Sequence, residues 1–527
     1  MPHTAVAAIC LVLIQATFAQ GPLTPPGAPG PTMKTLDQVE PRIPLGPDDL
    51  PTVITESGSY YLTGNVSKAF TAQAIQVNAS NVTLDLNGFA INGTTNNSLS
   101  CIWISAAAGV FDNIVVKNGH ISGDWRGGFA ISGVDNLVIE DITVSGGTVA
   151  GVEDFLDVNR RNSNVTLRRL QIHGDGTSMP SGGILIIQTE NIRLEDVQVR
   201  DATGPGLVLD PANNFPLRAV IEDSYFEDNS IGVSVLAADI TEESELSSIV
   251  FNDCQAFLNT DQGFKSELPT TMNRCVAKEN KEEGFVISLP AHLTDCTAEN
   301  NADTGFHCAD DNRISGCKAL SNGGYGFRTG AESHFNNCVA GDSLNDGFET
   351  GTGSTLDDCE AYDNSGAGIR AFAYSTVTGC KSHANSSTGI SVSQFSTVKD
   401  CEVDSNGTTG IFAVEGCHVL ENSVRNSAST GIVLGTRFEV LTQFPPTKCM
   451  VERNRISGGS IGISVATFGS DNTFIGNIVG STSGSEYVIP ANNHVAPIVA
   501  LPSSIAINGA TGGAGVGTTN PHANFSY

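Results

Sequence analysis

Positive charge is scarce in this chain of 527 residues: 27 Lys and Arg face 56 Asp and Glu, a formal net charge of −29. Neutralising phosphates needs the opposite balance, so nucleic acid is excluded as a general partner. Tryptophan is nearly absent, with 2 residues, which leaves few large platforms for a flat ligand. None of the 13 cysteines stands in a Cys-x-x-Cys or Cys/His metal spacing. Long apolar runs are missing except at the start, so no membrane span is expected in the mature chain. The one run, Ala5–Ala19, is too short to cross a bilayer and ends in the small-residue pattern Thr17-Phe-Ala19. It reads as a secretory signal peptide over residues 1–19, with Gln20 as the new N-terminus. Residues 20–36 follow as a flexible leader rich in Pro and Gly. The expected location is secreted: extracellular, periplasmic or at the cell surface.

What is abundant is glycine, 57 residues, and it recurs on a fixed period. Cys254, Cys275, Cys296, Cys317, Cys338, Cys359, Cys380 and Cys401 are each 21 residues apart. A Gly-Phe or Gly-Ile pair follows on the same period, from Gly263-Phe264 to Gly410-Ile411. Asn stands five residues after the Cys at 259, 280, 301, 322, 364, 385 and 406, with Ser343 in the gap. The repeat reads C-x-A-x-x-N-x-x-x-G-(F/I). Inside it apolar residues alternate with polar ones, the period of a strand. A unit of three short strands cannot bury one face alone, whereas stacked units can. The prediction is an all-β solenoid, a parallel β-helix of about 17 coils at the ~4.8 Å interstrand spacing. Like residues then lie above like: a Cys ladder, a Phe/Ile ladder, and an Asn ladder at a bend where left-handed backbone suits Asn. Looser coils extend it upstream (Val82-Thr-Leu, Ile114-Val-Val, Leu137-Val-Ile) and downstream (Cys417-His-Val, Cys449-Met-Val, Asn472-Thr-Phe). The expected division is an N-terminal cap over 37–80, the β-helix over 81–484 with regular coils at 254–421, and a C-terminal cap or tail over 485–527.

These repeats, with the phrase Ser80-Asn-Val-Thr-Leu-Asp-Leu-Asn-Gly-Phe89, resemble the secreted bacterial right-handed parallel β-helix repeat proteins, the superfold of pectate lyases. The resemblance spans about residues 50–480. It implies the handedness, and a polysaccharide, often an acidic one, as the partner. It does not by itself imply an activity, because one superfold hosts many. The cysteines admit three readings: free buried thiols, disulfides between adjacent coils, or a metal string.

Register also predicts which residues share an outer face. The position after each Gly-Phe/Ile pair points outward and reads Lys265, Val286, His307, Arg328, Glu349, Arg370, Ser391, Phe412. Four bases fall in six consecutive coils of a protein short of bases. Lys265, His307, Arg328, Glu349 and Arg370 are therefore the candidate catalytic set. A second row, Thr271, His292, Arg313, His334, Thr355, supplies the candidate binding residues His292, Arg313 and His334. Asp310 and Asp311 lie at the turn between the rows, with Glu332 one coil on; such carboxylates can hold Ca²⁺. Trp125 is a candidate sugar platform. The chemistry that fits is β-elimination from an acidic glycan: Arg or Ca²⁺ neutralises the uronate, and His307 or Lys265 removes the proton α to it. Two alternatives stand beside it. One is a non-catalytic adhesion, surface or glycan-binding module. The other is a polygalacturonase-like hydrolase, to which Asn259-Thr-Asp261 and Asp310-Asp311 are similar while the family's Gly-His-Gly and Arg-Ile-Lys are missing.

Overall fold

In the computed structural model the chain divides into two units, Met1–Arg42 and Ile43–Tyr527. The structure describes residues 42–527 apart from 95–97, 106–108, 155–161, 188, 212–216, 238–247, 436, 440–441, 501–507 and 510–519. The expected signal peptide and leader, residues 1–36, lie outside the described residues.

Residues 43–527 form an all-β parallel solenoid of about 18 turns. A regular coil carries three strands, for example Phe285–Ile287 on face 1, Ala291–Thr294 on face 2 and Thr297–Glu299 on face 3. Each pairs in parallel with the strand one repeat on: Phe285 with Phe306, His292 with Arg313, Ala298 with Ala319. Coils already stack within the stretch expected as an N-terminal cap, where Thr52–Ile54 pairs with Ile75–Val77. They continue into the stretch expected as a tail, where Ile478 pairs with Phe525.

The core is a set of vertical ladders. Phe264, Phe285, Phe306, Phe327 and Phe348 stack inside face 1 with ring centroids between 4.7 and 5.1 Å apart. The preceding face-3 residue of each of these coils is alanine, Ala256 to Ala340, fully buried. Where the face-1 residue is Ile411 or Ile432, the preceding face-3 residue is the larger Val403 or Val424, also buried, which offsets part of the lost ring volume in those two coils. The period glycine is required by close approach of backbone. A Cβ on Gly305 would sit 2.7 Å from the Gly326 carbonyl oxygen and 2.8 Å from the Asn322 amide nitrogen.

One motif recurs at the three bends: a residue in left-handed backbone, then a small polar side chain pointing in; the Leu-Pro bends at 268–269 and 289–290 do without it. Between faces 3 and 1 the left-handed residues are Leu258, Glu279, Asn300, Ser321, Asp342, Asp363, Ala384 and Ser405. The ladder asparagines come one residue later, which corrects the expectation that Asn itself takes the strained backbone. Their role is hydrogen bonding along the stack. Asn301 donates from Nδ2 to Asn322 Oδ1 (3.0 Å) and to the Ala277 carbonyl (3.1 Å), and its Oδ1 accepts from Asn280. Ser343 interrupts this chain, and its buried hydroxyl has no partner. Between faces 2 and 3 the small residue is the Cys of the repeat, and Asn422, Asn454, Asn477 and Asn524 continue that column. Cys417 and Cys449 belong instead to the bend between faces 1 and 2, with Ser375 and Ser396 before them and Asn472 after. A thiol, a hydroxyl and a carboxamide thus serve one geometry.

The twelve described cysteines are all free and buried. In the bend columns, from Cys254 to Cys449, the sulfurs face backbone carbonyls, as Cys296 Sγ faces Met272 O at 3.4 Å. Burial pushes the Cys308 thiol up to about 12.

Two outcomes test this architecture. Ser343→Asn should complete the ladder and raise stability by about 1 kcal/mol, whereas Asn301→Ala should cost ~1–3 kcal/mol by orphaning its neighbours, both read by chemical unfolding. A thiol reagent should leave the native, unreduced protein unlabelled and label it once guanidinium unfolds it. Absence of labelling until a reductant is added would mean disulfides.

Candidate functional site

The predicted row exists. Lys265, Val286, His307, Arg328, Glu349, Arg370, Ser391 and Phe412 pair in unbroken register along face 1. Their strand neighbours, such as Phe327 and Thr329 on either side of Arg328, are buried, so the row points out.

Every basic residue in this row meets a carboxylate. Lys265 Nζ lies 3.2 Å from Glu267, and His307 Nδ1 lies 3.6 Å from Glu283. Arg328 Nε lies 3.3 Å from Glu349, and Arg370 Nε lies 2.6 Å from Asp346. Arg328 also stands over the Tyr325 ring, 5.2 Å from its centroid. The layers differ in depth. The Arg328 side chain is 50% exposed and Arg370 40%, against 17% for Glu349 and 6% for Asp346. The acids lie beneath and hold the cations in the upper layer. The Asp346 hydrogen bond raises the Arg370 guanidinium above its ordinary value against the opposing effect of burial, so it stays charged. The Tyr325 hydroxyl is pushed up, first by burial and then by Glu349.

Glu283, Tyr325 and Asp346 were missed by the sequence reading. Their signal was there: each directly precedes the period glycine, at Gly284, Gly326 and Gly347. They form one column beside the basic row, because a one-coil step brings position 346 next to position 370.

The second row is also in register on face 2: Thr271, His292, Arg313, His334, Thr355. His334 Nδ1 lies 2.6 Å from Thr355 Oγ1. A shallow hollow of about 200 Å³ opens beside His292, over Thr271, Pro269 and Pro290. A hollow of about 540 Å³ over Val138, Arg193 and Val220 continues the column of this second row upstream of Thr271, and one of about 410 Å³ over Lys381, His383 and Arg425 lies away from both rows.

Two sequence expectations are corrected. Trp125 is 1% exposed. Its ring packs against Phe70 (4.9 Å) and its indole N–H donates to the Ser122 carbonyl, so it is a core residue and no sugar platform. Asp310, Asp311 and Glu332 do not converge as a Ca²⁺ site. Asp310 Oδ1 accepts from the Ala331 amide (2.6 Å), while Asp311 and Glu332 take the left-handed position of successive bends. Among the described residues no group of three or more His, Cys, Asp or Glu side chains is placed to hold a metal ion.

A family model for the right-handed β-helix region matches residues 162–313 and 304–444, more than half of the chain. The chain belongs to this right-handed β-helix family. No curated protein matches the β-helix. Among solved structures it is similar to the A-module of the mannuronan C-5 epimerase AlgE6 of Azotobacter vinelandii, at 15% identity over 84% of this chain and 90% of that one, TM-score 0.22. It is similar to the periplasmic alginate epimerase AlgG at 10% identity over 79% and 76%, TM-score 0.23. It is similar to the Streptococcus pneumoniae surface protein and adhesin PfbA at 12% identity over 92% and 91%, TM-score 0.18. Among the described residues of the β-helix no helix is long and apolar enough to cross a membrane.

The Glu283–His307 contact makes a pH prediction. The imidazole holds the Glu283 carboxyl below the usual carboxylate range. A carboxyl depressed by folding contributes stability above its unfolded value of about 4.3, and loses it as pH falls through the lower folded value. Glu283→Gln should therefore flatten the acid limb of the stability–pH curve and cost less than about 1 kcal/mol near neutrality. Chemical unfolding across an acid pH series checks this; an unaltered acid limb would remove the pair.

Proposed function

We propose that this β-helix is a secreted protein that binds an acidic polysaccharide along face 1 and cleaves it by β-elimination. The observation that carries the reading is the layered row: exposed Arg328 and Arg370 above the sunken Glu349 and Asp346. Guanidinium forks fixed from below are preorganised to receive carboxylates from above. A glycan lying along the solenoid axis meets one coil every ~4.8 Å, so successive uronates can find successive cations.

The chemistry follows from positions one and two coils apart: His307 next to Arg328, and Arg370 beyond Glu349. Arg328 and Arg370 take the substrate carboxylate and stabilise the charge that develops on it. Glu283 faces His307 Nδ1, which leaves Nε2 for the substrate side. That nitrogen removes the proton on the carbon α to the carboxylate. The electron pair forms the new carbon–carbon double bond, the C–O bond to the leaving sugar breaks, and the leaving oxygen takes a proton from the imidazolium or water.

A second reading rests on the short strands and tight bends of residues 254–421, which set the row on an open face: the same row binds an anionic glycan without cleaving it. One experiment separates them. Mature protein is incubated with polygalacturonate, alginate and glycosaminoglycans, unsaturated uronate is followed by ultraviolet absorbance, and retention is read on the same glycans immobilised. Product is expected, with His307→Ala slowing its release at least ~100-fold and the Arg328→Ala, Arg370→Ala double variant abolishing retention. Retention without product supports the binding module. Undiminished activity in all these variants excludes face 1.

A further inference from the structure

The bend between faces 1 and 2 carries a column of its own: Asp311, Glu332, Gly353, Tyr374, Phe395, Gly416. Backbone bonds fix its register, Glu332 N to Thr352 O, Gly353 N to Ala373 O, Tyr374 N to Gln394 O and Phe395 N to Glu415 O. All six residues have φ between +56° and +76°. Such backbone suits Gly and, less well, Asp; a bulky side chain there is an outlier. Tyr374 and Phe395 occupy it nonetheless. They are 63% and 48% exposed, and their rings stack 5.3 Å apart at 18°. Two residues that carry aromatic rings into solvent add little to the core, and a paired exposed ring face is the kind of surface on which a flat apolar ligand face can rest.

The two ends of the stack differ. Phe395 leans onto the next coil, where a Cβ on Gly416 would lie 2.5 Å from its ring. That end is closed. At the other end stands Gly353, with no side chain. The one atom within 4 Å of where its Cβ would be is Glu332 Cγ, at 3.4 Å, and no atom of Tyr374 reaches it. A gap one residue deep therefore separates the outer face of the Tyr374 ring from the Glu332 side chain, which stand two coil spacings, about 10 Å, apart.

We propose that this gap is a binding slot for one pyranose ring of a neutral glycan. The apolar C–H face of the sugar lies on Tyr374, and a sugar hydroxyl donates to the Glu332 carboxylate. Asp311, one coil further on, adds a second negative charge at the same edge. The pair repels a uronate, so the slot takes a different sugar class from the face-1 row and does not depend on the function proposed for that row.

Native electrophoresis through gels containing hydroxyethylcellulose or glucomannan, with polygalacturonate as the acidic comparison, tests this. At least one neutral polymer should retard the protein, independently of salt. Tyr374→Gly should weaken that retention at least tenfold, Glu332→Gln should weaken it, and Tyr374→Phe should keep it. The Arg328→Ala, Arg370→Ala double variant should leave it unchanged, which separates this slot from the face-1 reading. Because Gly is the natural occupant of this backbone at Gly353 and Gly416, Tyr374→Gly should keep or raise Tm. The slot is overturned if neither neutral polymer retards the protein, if Tyr374→Gly is retarded equally, or if it lowers Tm, which would make the ring structural. A concentration-dependent dimer lost in Tyr374→Gly would also overturn it, by giving the rings to a second copy.

Discussion

Register between parallel coils is the constraint on which the rest of this molecule depends. A coil cannot shift by one residue without turning Phe out and Lys or Arg in. Three devices hold it in place. Backbone ladders on three faces set the spacing. The Phe stack fills the interior, and aromatic pairs at this separation add about 0.5–1.5 kcal/mol each beyond their burial. The Asn amides, which donate to the next coil and accept from the previous one, permit a single vertical match. An out-of-register coil would leave those amides buried and unpaired, at ~1–3 kcal/mol per group.

Function is laid over this frame at little structural cost, because only outward positions and bend residues are free to vary. Along face 1 the outward position supplies the basic residues and Glu349, and the position before the period glycine supplies Glu283 and Asp346 beside them. At the bend between faces 1 and 2 the left-handed position supplies Asp, Glu, Gly and then two aromatics. In both places neighbours in space are distant in sequence by one repeat, so a periodic sequence builds a linear surface matched to a linear ligand. The ion pairs of the row are half in solvent and contribute little to stability. Their value lies in holding guanidinium groups at a fixed height.

Several features were legible before any coordinates. The 21-residue spacing of Cys254 to Cys401 and the alternating pattern gave the solenoid, the inward Phe ladder and both outward rows. Other features were not. Trp125 sits in a Gly-rich stretch that looks like a surface loop, yet its ring fills the space above Gly93, where a Cβ would meet it at 2.8 Å. Asp310, Asp311 and Glu332 are close in the repeat but differ in direction, since one caps a neighbouring amide and the others take strained backbone. Cys417 resembles the repeat cysteine and occupies a different bend, because any small side chain that can reach a backbone carbonyl satisfies either site.

By itself the sequence determined what repetition can determine: the period, the strands, which residues face inward, and which outward residues share a row. Those follow from spacing alone, since identical units stacked in parallel must place equivalent positions above one another. Only the tertiary structure decided how side chains in neighbouring rows meet: which acid lies under which arginine, which bend each cysteine serves, and that Gly353 leaves open ground beside the Tyr374 ring. Those depend on side-chain reach across a coil boundary and on the local sign of φ, neither of which a repeat pattern encodes.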